Sequence, residues 1–208
     1  MLFLQGDFMK VAVLISGRGS NLKAILDAEK DKKLAKAQIK LIVSNNSKAE
    51  GLKYAKEYSK KIICLESKNF KSKEAYDEEL AQTIKSYDID LVVLAGFMRI
   101  LSPSFVKHFE NKIINIHPSL LPAFPGLKAQ KQALDYGVKY TGCTVHFVNE
   151  KVDGGPIILQ DIVKVKDDDT EFSLSNRILE KEHELLPLVI KLISEGYVKI
   201  HNNKVRIA

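Results

Sequence analysis

The chain has no tryptophan, two cysteines and six prolines in 208 residues. The two thiols, Cys64 and Cys143, lie far apart, each in an apolar strand-like run. Neither has the spacing of a metal ligand or a redox pair, so no metal is expected and both thiols are expected to be buried and reduced. No apolar stretch approaches the roughly 18 residues of a membrane span. Residues 1–8 lack the basic stretch that opens a secretory signal. They are expected to be a disordered extension, or Met9 is the true start, before a single domain over residues 9–208. A cytoplasmic location without a membrane partner is expected.

Concentrated charge is also missing. The net charge of +6 comes from 32 Lys and Arg against 26 Asp and Glu, and the excess lysines are spread along the chain, from Lys30, Lys32, Lys33 and Lys36 to Lys53, Lys56, Lys60 and Lys61. Without a basic stripe interleaved with aromatics, a nucleic-acid partner is not expected. A solvated lysine-rich surface explains the excess, and its modest positive field favours small anions.

The chain does contain enough apolar material for a core, 45% hydrophobic against 28% charged. Val11–Ile15, Ile39–Val43, Ile62–Leu65, Leu91–Ala95 and Ile113–Ile116 read as strands, several of them apolar on both faces. Helices are expected after the Gly17–Asn21 turn and at 49–58, 72–87 and from Pro103, with Ser102 as N-cap. This alternation predicts an α/β, Rossmann-like, mostly parallel sheet with helices on both faces. After residue 116 the pattern changes. Pro118–Gly126 cannot be regular, 129–136 is a short helix stopped by Gly137, and 141–148 and 157–165 are further strands. A long helix is expected at 172–194 with a kink at Pro187, then a hairpin turning at Asn202-Asn203. The change of pattern divides the domain into halves at 9–116 and 117–208.

Two places carry chemistry. Gly17-Arg18-Gly19-Ser20-Asn21-Leu22 lies between a buried strand and a helix start, where unpaired N–H groups and the helix dipole favour an anion. Ser20 and Asn21 add side-chain donors. A third glycine and an acidic residue after the second strand are missing, so a dinucleotide is not expected. A mononucleotide or sugar phosphate fits better, with a plain strand–helix turn as the alternative. Second, Asn115 and His117 share a face of one strand and are expected at its carboxyl edge. The Asp153-Gly154-Gly155-Pro156 turn presents a carboxylate. Asn and His can donate to an oxyanion, and Asp can orient the His or move a proton. With no nucleophile elbow, a covalent acyl-enzyme is not expected.

Ile15-Ser16-Gly17-Arg18-Gly19-Ser20-Asn21-Leu22, Leu94–Pro103, Asn115–Pro122, Val145–Val148 and Asp153–Pro156 resemble the folate-dependent formyltransferases, over about Met9 to Ile200. The first loop, the length and the Glu182-His183 pair point to the branch that acts on glycinamide ribonucleotide. The resemblance implies that the half at 9–116 is nucleotide-binding and the half at 117–208 folate-binding and catalytic. It implies Asn115, His117 and Asp153 as the catalytic trio. It implies that Gly19, Ser20, Asn21 and Glu182 bind the ribonucleotide. It places Met98, Arg99, Ile100 and Leu101 around 10-formyltetrahydrofolate, with Asn115 and with Val148 to Val152 as part of the pterin wall. Lys73 stands where the family carries arginine for the cofactor's glutamate tail; lysine keeps the charge and loses the bidentate fork. A formyltetrahydrofolate deformylase would share the trio but carry an added N-terminal domain, and methionyl-tRNA formyltransferase an added C-terminal one; 208 residues are expected to leave room for neither. A non-catalytic nucleotide-binding module would need no trio.

Overall fold

The computed structural model describes residues 8–208. Phe8 is exposed and outside any element, and the rest of the expected extension lies outside the described residues. Strand β1 (Met9–Ile15) buries alternate residues in two separate cores. Val11, Val13 and Ile15 meet helices α1 (Ser20–Lys30), α2 (Leu52–Glu57) and α6 (Glu171–Ser194), whereas Ala12 and Leu14 meet α3 (Lys73–Lys85) and α4 (Pro103–His108). The period-2 geometry of a strand thus explains why β1 is apolar throughout.

With β2 (Ala37–Ser44), β3 (Lys61–Cys64), β4 (Leu91–Leu94), β5 (Ile113–His117), β6 (Tyr140–Phe147) and β7 (Ile157–Lys164), β1 forms one seven-stranded sheet in the order β3-β2-β1-β4-β5-β6-β7. The first five are parallel, and β6 runs antiparallel to both its neighbours, β5 and β7. Helix α5 (Ala129–Tyr136) ends at Gly137, whose φ of 79° is the left-handed C-terminal geometry that favours glycine. Helix α6 is continuous through buried Pro187. The chain closes with the hairpin β8 (Val198–His201) and β9 (Lys204–Ile207), in which Asn202 and Asn203 both take positive φ. Among the described residues no helix is long and apolar enough to cross a membrane.

Two expectations need correction here. Helix α2 spans only Leu52–Glu57, because Gly51 is drawn against the loop after β1, donating its N–H to the Gly17 carbonyl at 3.0 Å. Of the two thiols only Cys143 is buried, which pushes it up to about 12. Cys64 is exposed, because β3 is an edge strand.

Candidate active site

The sheet reverses its winding between β1 and β4, and ligands of open α/β sheets bind beyond such a switch point. The loops leaving these two strands are joined there: Ser16 N–H donates to the Gly96 carbonyl at 3.1 Å, and Met98 N–H donates to Ser16 Oγ at 2.8 Å. On one side of this seam lies a cavity of about 630 Å³, lined by Gly17–Asn21 and by Phe172, Ser175, Asn176, Leu179 and Glu182 of α6. On the other lies one of about 820 Å³, lined by Lys73, Met98–Leu101, Asn115, His117, His146 and Val148–Asp153. The cavities share Gly96, Met98, Ile116, Pro118 and Gln130.

The first cavity has the features of an anion site. Helix α1 has no side-chain cap, so its leading N–H groups are open to a ligand. Gly17 has open space where a side chain would stand, which admits a ligand to the backbone. Gly19 serves packing instead: a Cβ there would lie 2.4 Å from Gly51 Cα, and its φ is +72°. The expected side-chain donor Asn21 is partly engaged: its Nδ2 donates to Glu182 Oε2 at 2.7 Å, which leaves its second amide hydrogen and its backbone N–H for an anion. Glu182 is buried, and burial pushes its carboxyl up to about 7 despite the Asn21 bond and the Arg18 charge.

The second cavity is apolar at its mouth, where Met98, Ile100, Leu127 and Val152 are exposed. One end of its Met98–Leu101 wall hangs on Ser16. Buried Asp77 holds the other, its Oδ2 accepting from Ser102 N–H at 2.7 Å. The Arg99 guanidinium lies 4.0 Å over the Tyr76 ring, with Nη2 3.8 Å from Asp77 Oδ1. Lys73 at the start of α3 is exposed on the rim, and Val148 is half-buried in the wall.

Asn115, His117 and Asp153 come together at the carboxyl edge, where His117 is the last residue of β5 and Asn115 pairs with Leu94, the last residue of β4. Asn115 is the middle residue of β5, and the Asp153 turn leaves β6 beside Ile113 and Ile114, at the opposite end of β5 from His117. The turn therefore runs back across the sheet face. It is tight: Asp153 has a φ of 51°, and a Cβ on Gly155 would meet the Phe147 carbonyl oxygen at 1.8 Å. Asp153 Oδ2 lies 3.3 Å from His117 Nδ1 and accepts from Gly126 N–H at 2.8 Å. His117 Nε2 lies 2.9 Å from the Phe124 carbonyl oxygen. Both ring nitrogens of His117 thus face acceptors, an arrangement satisfied when both carry a proton. Burial opposes the charge on Asp153, but the His146 ring, the Gly126 N–H and His117 outweigh it and hold the carboxyl below its ordinary range.

Sequence reasoning missed several residues of these cavities, among them Leu127, His146, Gln130 and, on α6, Phe172, Ser175, Asn176 and Leu179. His146 packs against both Asn115 and Asp153; its signal was the alternation of β6, which puts it on the face of Asn115. Gln130 reaches the wall between the cavities from α5, and nothing in its sequence surroundings marked it.

The sequence pattern of the formyl transferase family matches residues 9–190. The chain is 47% identical over 195 residues to the phosphoribosylglycinamide formyltransferase of Escherichia coli (strain K12), which covers 94% of this chain and 92% of that protein. It is 44% identical over 194 residues to the trifunctional purine biosynthetic protein adenosine-3 of Homo sapiens, 93% of this chain but 19% of that protein. Among solved structures, glycinamide ribonucleotide transformylase 1 from Symbiobacterium toebii superposes with a TM-score of 0.95 at 44% identity, over 100% of this chain and 97% of that one.

Proposed function

The chain belongs to the formyl transferase family, and on that premise we propose how its residues carry out the reaction. It transfers a formyl group to glycinamide ribonucleotide, a step of purine biosynthesis. The donor is carried by a folate, which we assign as 10-formyltetrahydrofolate. The observation that carries the mechanism is that the apolar cavity holding Asn115, His117 and Asp153 adjoins the anion-binding cavity along Gly96, Met98, Ile116, Pro118 and Gln130.

The backbone at Gly17–Leu22 and the Ser20 hydroxyl hold the phosphate. Glu182 faces the glycinamide end, and Asn21 steadies it. Exposed Met98, Ile100, Leu127 and Val152 take the flat pterin, the backbone of Met98–Leu101 reads its edge, and Lys73 meets the acidic tail. Asn115 donates to the formyl oxygen as the amine nitrogen bonds to the formyl carbon and the carbonyl electron pair moves to oxygen. His117 supplies a second donor and a positive charge once its Nε2 leaves the Phe124 carbonyl. Asp153, kept ionised, takes the proton from the attacking nitrogen through water, and N10 receives one as its bond to carbon breaks.

The test is folate absorbance with 10-formyltetrahydrofolate, with and without glycinamide ribonucleotide. Tetrahydrofolate release is expected to require the acceptor. Equal rates would make the protein a deformylase and leave the anion site unexplained.

A further inference from the structure

We infer that His146 is a positioning residue for Asn115, fixing which end of the Asn115 amide faces the formyl oxygen. The inference rests on the formyl-transfer reading above. His146 is 1% exposed and sits on β6 directly opposite Asn115 on β5. Its neighbours Val145 and Phe147 point into the α1–α6 core, so its ring lies on the other face with Asn115 and His117.

The partners of the ring define its protons. His146 Nδ1 is 2.8 Å from the Phe147 carbonyl oxygen, which can only accept, so Nδ1 carries a hydrogen. Nε2 is 3.2 Å from Asn115 Nδ2, which can only donate, so Nε2 receives through its lone pair. Asp153 Oδ1 lies farther from Nε2 than Asn115 Nδ2 does, at 3.6 Å.

This matters because the two ends of an asparagine amide have nearly the same shape and opposite polarity. Packing alone cannot tell them apart, whereas a hydrogen-bond acceptor can. With one Nδ2 hydrogen held by His146, the planar amide has its second hydrogen and its Oδ1 fixed in direction. Without that acceptor the amide can turn over and present oxygen to a developing oxyanion.

The experiment is a kinetic cycle on the full chain with glycinamide ribonucleotide and 10-formyltetrahydrofolate, using His146→Leu, Asn115→Ala and the double variant. His146→Leu is expected to lower kcat on the order of tenfold to a hundredfold, below the loss typical of deleting an oxyanion donor. Both KM values should stay within about twofold. In the Asn115→Ala background the same substitution should cost about twofold or less, because nothing remains to orient. His146→Gln, whose Oε1 can accept from Nδ2, should recover part of the loss; if His146→Leu does not fold, this variant carries the cycle with a smaller loss. An equal fall in kcat in both backgrounds, or a loss confined to KM, overturns the inference. A wild-type protein that releases tetrahydrofolate without acceptor overturns the transferase reading instead, while the cycle on that release still reports on Asn115. Wild type inert with both substrates sinks both.

Discussion

Asp153 is held below its ordinary range by its neighbours although burial acts against it, and removing any member of its cluster leaves the others mismatched. Asn115→Ala, His117→Ala and Asp153→Ala are each expected to fold and to lose turnover, with about a hundredfold to a thousandfold lower kcat for the Asn115 donor. Combined substitutions should cost less than the sum of their parts in free energy, since the residues act as a unit. Steady-state kinetics with circular dichroism checks this, and near-normal kcat in the His117 and Asp153 variants would remove the trio. Asn21 makes a separate case. Its amide donates to Glu182, so Asn21→Ala should raise the KM for glycinamide ribonucleotide through that carboxylate and leave the folate KM within about twofold. A change confined to the folate KM would place Glu182 in the other cavity.

At the scale of elements, the proposed cofactor wall, Met98–Leu101, is a short segment tied at both ends, and Asp77 is the tie from α3. Asp77→Ala would strand the Ser102 N–H and remove the carboxylate beside Arg99. A buried donor left unpaired costs about 1–3 kcal/mol. The expected result is a higher folate KM and lower thermal stability, with the KM for glycinamide ribonucleotide little changed; titrations of each substrate against the other at saturation measure it. An unchanged folate KM would mean that Ser16 alone sets the wall. The elements themselves were legible wherever burial is one-dimensional. Strands β1 and β4 show as apolar runs because both faces are covered, and α4 shows its Ser102 cap and Pro103 start. What failed to show depends on partners distant in sequence. Gly51 shortens α2 by packing on Gly19, Cys64 is exposed only because β3 has no outer neighbour, and Glu182 captures Asn21 across 161 positions. His146 was visible as a histidine on an alternating strand, but its role needed the β5–β6 register.

For the molecule as a whole, Glu182 links the proposed acceptor site to stability. Its carboxyl titrates at about 7 in the folded chain against an ordinary 4.5. Between those values the folded state keeps a proton that the unfolded state has released, so stability falls as pH rises through the window. The contribution is complete below pH 4.5 and lost above 7, and is worth roughly 3 kcal/mol at most. Asp153 acts with the opposite sign, and at lower pH, because its carboxyl is held down. Glu182→Gln keeps an acceptor for Asn21 and removes the titration. Urea unfolding of both proteins from pH 5 to pH 8, at fixed ionic strength, should show the Gln variant gaining on wild type as pH rises. Saturating glycinamide ribonucleotide should flatten the wild-type slope, because an amine beside the carboxylate favours its charged form, and binding to the folded state alone adds stability. The Gln variant should gain less from the ligand at pH 8 than wild type does. A stability difference independent of pH would show that Glu182 titrates as an ordinary carboxylate, and its burial against α1 would then have no bearing on how the acceptor is held.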